Sequence, residues 1–171
     1  MVRWEKGERT VQYLIDRGRL ESIEAEDLAV QVEALVERAL LRVGTTAVAA
    51  LAGGDVDGAY VAAYDAYRMG GESLLVQQGL RATGGDGSHM TVEDAVSAQF
   101  SSDIPAFAKP TFERFRRTRH AAQYFDPKAV PITKADASWA IEKATAALSK
   151  VRALLEESPP GRFVTGAAGQ A

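Results

Sequence analysis

The sequence predicts an all-α fold, an antiparallel four-helix bundle with short additional helices. Apolar residues recur at intervals of three and four in its long segments, as on one face of an α-helix. Sustained two-residue alternation, which marks half-buried strands, does not occur, so no strand is predicted. Glycines, prolines and capping residues separate the periodic segments, and long helices joined by loops pack as antiparallel neighbours.

The composition is that of one globular domain. The chain has 171 residues, 46% of them hydrophobic and 25% charged, which is enough to build a single core. We expect one helical domain over residues 1–160 and a disordered tail over residues 161–171. The net charge of −3 requires any nucleic-acid contact to come from a local basic patch.

Several classes of site and location are excluded or disfavoured. The absence of cysteine excludes disulfides, thiol catalysis and cysteine-ligated zinc. Two histidines argue against a multi-histidine metal site, and we expect neither a metal nor a cofactor. Residues 1–6 are charged and lack the apolar run of a signal peptide, and no apolar stretch has the length of a membrane span. We therefore expect a cytoplasmic protein.

The first helices are predicted from their apolar spacing. Residues 7–17 form a short helix that stops at Gly18. A long helix covers residues 24–51, begins with acidic residues that suit a helix N-terminus, and ends at Gly53 and Gly54. Its apolar face consists of Leu28, Val32, Leu35, Val36, Ala39, Leu40 and Val43.

The next helix covers residues 55–80 and carries three tyrosines on one face. Tyr60, Tyr64 and Tyr67 are interpreted as core residues with hydroxyls at its margin. Gly70 and Gly71 interrupt the helix at a cost of about 1 kcal/mol each relative to alanine. They indicate either a close approach of another helix or a kink.

A glycine-rich loop over residues 81–90 follows, and its composition suggests mobility. It is not a phosphate-binding P-loop, because no Gly-Lys-Ser/Thr follows and no strand is predicted before it. His89 is interpreted as a solvated loop histidine in preference to a catalytic one.

Capping patterns predict the remaining helices. Thr91 begins a short helix that ends near Phe100. The next helix begins between Pro105 and Pro110 and stops near residues 126–127. Thr133 begins the last helix, which ends at residues 158–161. Its apolar stripe is Ile141, Ala144, Leu148, Val151 and Leu155.

The candidate site lies in residues 114–120, which contain four arginines and one of the two histidines. On a helical wheel Arg119 falls on the side of Phe112 and Phe115, which must face the core. A second stripe, spaced i, i+4 and i+8, consists of Arg116, His120 and Tyr124. Arg114 and Arg117 are predicted to point toward solvent.

This arrangement favours phosphodiester or nucleotide chemistry. Arginines clamp phosphates with paired hydrogen bonds, and His120 can move protons near neutral pH. A positioned serine or cysteine nucleophile is not apparent. The structural alternative is that Arg119 pairs with Asp55, Asp57 or Asp65 of a neighbouring helix while the other arginines are solvated.

Four segments in this order resemble the HEPN superfamily across residues 59–155. They are Ala63-Tyr64-Asp65-Ala66-Tyr67-Arg68, Gln78-Gly79-Leu80-Arg81, Gly87-Ser88-His89, and Arg116-Arg117-Thr118-Arg119-His120 followed by Tyr124. The family motif is an arginine, often followed by a polar residue, and then a histidine after four to six residues. Arg119 and His120 match the arginine–polar pair, and Tyr124 stands where the histidine would be. In a second frame Arg114 and His120 satisfy the loose motif but lie on different helix faces.

The resemblance implies a small, all-helical homodimer. Members are metal-independent ribonucleases or partners of minimal nucleotidyltransferases in bacterial toxin–antitoxin or defence systems. It implies that Arg119 holds a phosphate, His120 transfers protons and Tyr124 positions the substrate. Arg116, Arg117 and Arg81 would add phosphate or RNA contacts.

Two functions follow from the resemblance, and a third remains. The first is a metal-independent endoribonuclease. The alternative is a non-catalytic module that binds RNA, a nucleotide or a cognate nucleotidyltransferase, which Tyr124 favours because a phenol with a pKa of about 10 is a poor base at neutral pH. The third is a purely structural helical adaptor.

Overall fold

The fold is all-α, as the sequence predicts. The computed structural model describes residues 3–24, 26–85, 87–123 and 130–164. The α-helices are α1 (Glu8–Asp16), α2 (Leu28–Leu41), α3 (Val48–Ala52), α4 (Val56–Gln77), α5 (Ser88–Phe100), α6 (Lys109–Gln123) and α7 (Lys134–Glu157). A π-helical segment (Arg42–Ala47), a 3₁₀ turn (Pro105–Phe107) and the strands β1 (Leu20–Ser22) and β2 (Leu80–Ala82) complete the described elements. No helix in the described ranges is both long and apolar enough to cross a membrane.

Helix α4 lies at the centre and contacts α2, α5, α6 and α7. A Cβ atom on Gly70 would lie 2.8 Å from Leu148 Cδ2 of α7, and one on Gly71 would lie 3.0 Å from Val96 Cγ2 of α5. These glycines therefore serve close helix packing, the first of the two predicted explanations. The helix continues through them from Val56 to Gln77.

The predicted long helix is present as α2, the π-helical segment and α3, which follow one another without a break over residues 28–52. It begins at Leu28 rather than near residue 24. The π-helical turn was not predicted, because its wider hydrogen-bonding pattern leaves no simple signal in the apolar spacing. Arg42 lies at the start of this turn and belongs to the surroundings of the candidate site.

The prediction of no strand is wrong at one place. Strand β1 pairs antiparallel with β2, with Leu20 opposite Ala82 and Ser22 opposite Leu80. The Ile23 amide donates to the Gly79 carbonyl over 2.8 Å and extends the ladder. Three-residue strands are too short to show alternation, so this pairing is set by the elements that bring the two segments together.

Helix α5 begins earlier than predicted. It starts at Ser88 after Gly87, which has a φ of 92° and so adopts a conformation that favours glycine. His89 therefore lies in the first turn of a helix, and the interpretation of a solvated loop histidine is corrected. The predicted end of α6 near residues 126–127 falls outside the described residues.

The capping box at Thr133 is confirmed. The Thr133 hydroxyl accepts from the Asp136 amide over 3.2 Å, and the Asp136 carboxylate accepts from the Thr133 amide over 3.0 Å. These two bonds satisfy amides that the first turn of α7 leaves without helical partners. The beginning of α7 therefore follows from local sequence.

The start of the predicted disordered tail is ordered by contacts. Gly161 is buried, and the Phe163 amide donates to the Gln78 carbonyl over 2.9 Å. The Arg162 guanidinium donates to the Ile23 carbonyl over 2.9 Å. The described part of this segment, residues 161–164, thus packs against the end of α4 and the β-ribbon, which corrects the prediction there. Residues 165–171 lie outside the described part of the chain.

Candidate functional site

The position of α6 is set by two buried phenylalanines. The Tyr67 ring of α4 lies 4.4 Å from the Phe115 ring and 4.7 Å from the Phe112 ring, centroid to centroid. Both phenylalanines are at most 2% exposed. Because Arg119 follows Phe115 by four residues, it emerges one turn further along nearly the same side of α6, at the edge of the core. The predicted core-facing side of this helix is confirmed.

Arg119 is half-buried and lies against an aromatic ring rather than a carboxylate. Its guanidinium carbon is 5.2 Å from the centroid of the Tyr64 ring, within the range of a cation–π contact. The Arg119 Nε is shielded from solvent and has no hydrogen-bond partner among the described residues. No carboxylate of the described residues lies within ion-pair distance of Arg119; Asp65, one of the predicted partners, pairs with Arg42 at 3.3 Å.

Tyr64 joins Arg119 to a histidine. The Tyr64 hydroxyl lies 2.9 Å from His89 Nδ1, and the two rings are stacked with an interplanar angle of 21°. Burial raises the pKa of Tyr64 to about 12, so the phenol stays protonated and can donate to Nδ1 or accept from it, according to the tautomer of His89. A neutral imidazole that accepts at Nδ1 carries its proton on Nε2. In that tautomer His89 presents a hydrogen-bond donor at Nε2.

The pKa of His89 is lowered by its burial and by nearby positive charges. Burial lowers this pKa first, and the charges of Arg68 and Arg119 lower it further, while Asp65 acts in the opposite direction. The imidazole is therefore neutral at pH 7. We call the set Tyr64, Arg68, His89 and Arg119 the arginine–imidazole cluster.

Carboxylates neutralise the arginines around this cluster. Arg68 forms an ion pair with Glu72 one turn along α4. Arg116 pairs with Glu93 at 3.2 Å, and the Glu93 side chain is only 5% exposed. Burial raises the pKa of Glu93, and the nearby Arg116 opposes that rise. The charge of Arg116, a predicted phosphate ligand, is thus largely balanced by Glu93.

The other predicted residues are distributed differently. Arg117 and His120 are exposed on α6. Arg81 lies on β2 and pairs across the ribbon with Glu21 of β1 at 2.7 Å. Tyr124 lies outside the described residues. The structure therefore places Arg119 near His89, pairs Arg116 with Glu93 and positions Arg81 on the two-stranded sheet, paired with Glu21.

Arg114 departs from its predicted solvent-facing position. Its guanidinium pairs with Asp136 at 3.3 Å and lies 3.8 Å from the centroid of the Trp139 ring. Both partners belong to α7, so this arginine fastens α6 to α7.

Sequence reasoning missed His89 and Arg68 as members of the site. The capping pattern at Thr91 predicted a helix start after His89 and so left this residue in the preceding loop. The actual N-cap is Gly87, which has no side chain that a sequence pattern could identify. A usable signal was the order of the resembling segments, which contained Tyr64, Arg68 and His89 together with Arg119. Residue spacing alone does not show that these segments meet.

In the described ranges, no group of three or more histidine, aspartate or glutamate side chains could hold a metal ion. Comparison with protein-family models, with curated proteins and with solved structures finds no match.

Proposed function

We propose that this chain is a HEPN-like helical module of a bacterial toxin–antitoxin or defence system that binds phosphate groups of RNA or of a nucleotide. The observation that carries the proposal is the half-buried Arg119, which has an aromatic ring beside it and no carboxylate of the described residues within ion-pair distance. A partly buried guanidinium without a counter-ion is costly, and a phosphate would remove that cost.

The chemistry around Arg119 supports an anionic ligand. The charges of Arg68 and Arg119 act on His89, although Arg68 is paired with Glu72 and Asp65 acts in the opposite direction, and His89 offers an Nε2 donor when its Nδ1 accepts from Tyr64. Arginine and imidazole donors are suited to phosphate oxygens, and arginine can bind two of them at once. A bound phosphate would also favour protonation of His89, because it would offset the two arginine charges.

The test is the binding of a short single-stranded RNA at several salt concentrations. Arg119→Ala is expected to weaken binding by about tenfold or more and to reduce the slope of log affinity against log salt. Arg152→Ala is the control, since it removes an exposed arginine of α7 that is paired with Glu156 and lies outside the proposed contacts. Equal affinities for the Arg119→Ala variant and the wild type would overturn the proposal.

Metal-independent cleavage of RNA is the second candidate, and the imidazole beside a phosphate-binding arginine is the observation that favours it. Such cleavage needs a base for the ribose 2′-hydroxyl and an acid for the 5′-oxygen that leaves. A neutral His89 with its proton on Nε2 is not a base at that atom, and its lowered pKa leaves little of the imidazolium acid at pH 7. His120 and Tyr124 remain the proposed proton-transfer and positioning groups, so binding is the better-supported function.

An RNA cleavage assay in the presence of EDTA tests the catalytic assignment. Cleavage by the wild type that is lost in both Arg119→Ala and His120→Ala would support it. Cleavage that survives both substitutions would contradict it. Absence of cleavage together with salt-sensitive binding would leave the binding function as the whole activity.

The homodimer, the cognate minimal nucleotidyltransferase and the cytoplasmic location are also proposals, and they depend on the resemblance. A solution mass measurement tests the dimer directly. A strictly monomeric chain would contradict a site shared between two copies and would leave a phosphate site within one chain.

A further inference from the structure

A cleft of about 490 Å³ lies between α7 and the segment that joins α5 to α6, together with the first turn of α6. Its volume is within the range of small-molecule sites. We call it the lysine cleft, because its two charged lining residues are Lys143 and Lys150 of α7. The lysine cleft shares no lining residue with the arginine–imidazole cluster, so a ligand bound there would be independent of the proposed function.

The lining of the lysine cleft combines apolar groups with hydroxyl and ammonium groups. The hydroxyls belong to Thr111 of α6 and Ser149 of α7. The apolar surface is contributed by Ile104, Pro105, Ala106 and Ala146. Aspartate and glutamate are absent from this lining in the described part of the chain. Such a surface suits an organic anion with an aliphatic body, because the anion finds cations and the body finds apolar walls.

The two lysines lie on one face of α7. Lys143, Ala146 and Lys150 follow one another at intervals of three and four residues, which are the intervals of neighbours on a helix surface. Seven residues separate the two lysines, a helical rise of about 10 Å. Their side chains therefore leave the helix two turns apart, with the small side chain of Ala146 between them.

Both ammonium groups have charge to offer to a ligand. No carboxylate of the described residues lies within ion-pair distance of Lys150. Lys143 is 3.8 Å from Glu142, the preceding residue, whose side chain is 75% exposed. Consecutive residues do not face each other on a helix, and an exposed pair of this kind contributes little. Asp103, which precedes the lining residue Ile104 in the chain, is already paired with Lys6 at 2.7 Å.

We infer that the lysine cleft binds a linear aliphatic dicarboxylate, with one carboxylate at Lys143, the other at Lys150, and the methylene chain over Ala146. The two carboxyl carbons of a six-carbon chain lie about 6 Å apart. The flexible four-carbon stems of the lysines close the remaining distance. The hydroxyls of Thr111 and Ser149 can donate to the same carboxylate oxygens.

Two carboxylates and a carbon chain each contribute to this recognition. An ammonium–carboxylate hydrogen bond at each end is charge-assisted and therefore stronger than a neutral one. The methylene groups lose contact with water against the apolar walls. A monocarboxylate of equal length would use only one lysine, and an uncharged chain would use neither.

The experiment is a nuclear magnetic resonance titration of the wild-type backbone amides at one pH and constant ionic strength. The ligands are hexanedioate, hexanoate and the neutral hexanediol with a hydroxyl at each end. Hexanedioate is expected to shift the amides of Ala106, Ala146 and Ser149 and to bind about fivefold more tightly than hexanoate, because it makes a second ion pair. Hexanediol should bind more weakly than either. Equal affinities for hexanedioate and hexanoate, or no saturable shift of these amides, would overturn the inference.

A pair of matched substitutions tests the second ion pair. Lys150→Gln is expected to lower the affinity for hexanedioate about fivefold, to that of hexanoate in the wild type. Lys134→Gln makes the same exchange at another exposed lysine of α7 that does not line the cleft, and it should leave the affinity unchanged. Unchanged hexanedioate affinity in Lys150→Gln would contradict the assigned role of this lysine.

A second pair locates the carbon chain. Ala146→Phe fills the cleft from an exposed position of α7 and is expected to abolish the binding of both hexanedioate and hexanoate. Ala135→Phe introduces the same ring at an exposed alanine of α7 outside the cleft and should change neither affinity. Binding that persists in Ala146→Phe would place the ligand elsewhere and overturn the inference.

Discussion

Two arginines of α6, three residues apart, have different surroundings. Arg116 is paired with Glu93, a carboxylate that is only 5% exposed, whereas Arg119 lies against the Tyr64 ring without a carboxylate of the described residues in ion-pair distance. The sequence presents them as members of one basic segment. The difference shows that the number of arginines in a helix does not predict how many of them are free of carboxylate partners and can bind a ligand. Arg116 has a buried partner in the folded structure, and the binding role of Arg119 is our proposal.

The largest expected effect is on the free energy of unfolding of Arg116→Ala. Removing Arg116 leaves the buried Glu93 without its counter-ion, which should cost about 2 kcal/mol after allowance for the exposed side of the arginine. Urea unfolding monitored by circular dichroism measures this cost. The double variant Arg116→Ala/Glu93→Gln should recover part of the loss, because it removes the uncompensated charge.

The pH dependence of that loss follows from Glu93. The pKa of Glu93 is higher in the folded protein than in the unfolded chain, so the folded protein binds the Glu93 proton more strongly. Glu93 therefore contributes less to stability as the pH rises above the pKa that Glu93 has in the unfolded chain. Arg116 limits this rise, so its removal should destabilise the protein more at pH 7 than near pH 4. A loss of equal size at both pH values would show that Glu93 is not the cause.

A smaller effect is expected for the stability of Arg119→Ala. The loss of Arg119 would leave no carboxylate of the described residues unpaired. It removes a cation–π contact but also a buried Nε that has no hydrogen-bond partner among those residues. The free energy of unfolding should change by less than about 1 kcal/mol. The same urea titration compares it with Arg116→Ala. A destabilisation as large as that of Arg116→Ala would erase the distinction between the two arginines.

The smallest expected effect is a shift in the titration of His89. The charge of Arg119 lowers the pKa of His89, so Arg119→Ala should raise that pKa toward its ordinary value. Arg114→Ala is the control, because Arg114 is engaged with Asp136 and Trp139 of α7. Nuclear magnetic resonance of the imidazole over pH 4 to 8 measures both. An unchanged pKa in Arg119→Ala would contradict the assignment of Arg119 to the cluster.

The free energy of unfolding of the wild-type protein should also depend on the protonation of His89. Because the folded pKa of His89 lies below its unfolded value, protonation favours the unfolded chain. The contribution of His89 is therefore fully present above the unfolded pKa of about 6.5 and declines as the pH falls through that value. A His89→Gln variant should lack this component of the pH dependence.

Part of the fold was predictable because it depends on local physical chemistry. The apolar spacing of residues 28–43 requires an amphipathic helix whatever its neighbours are, and the cap of Thr133 on Asp136 uses only adjacent residues. The core-facing side of α6 followed from the spacing of Phe112, Phe115 and Arg119 for the same reason. These features need no knowledge of distant contacts.

The site was only partly predictable. Arg119 was identified because its position relative to two phenylalanines placed a cation at the core edge. His89 was not, since its importance comes from Tyr64, 25 residues earlier in the chain, and from a helix start at a glycine. The β-ribbon and the ordered residues 161–164 were missed for a related reason, because contacts between distant segments create them.

The sequence by itself determined the helical class, the main helix faces and the concentration of arginine on α6, because helix periodicity and capping act over a few residues. The tertiary structure decided which arginines of α6 are paired with carboxylates of the described residues. That outcome depends on which carboxylates the packing of α4, α5 and α7 brings to α6: Glu93 and Asp136 reach Arg116 and Arg114, and the Tyr64 ring reaches Arg119. Charge balance acts through distances in space, and only the folded chain sets them.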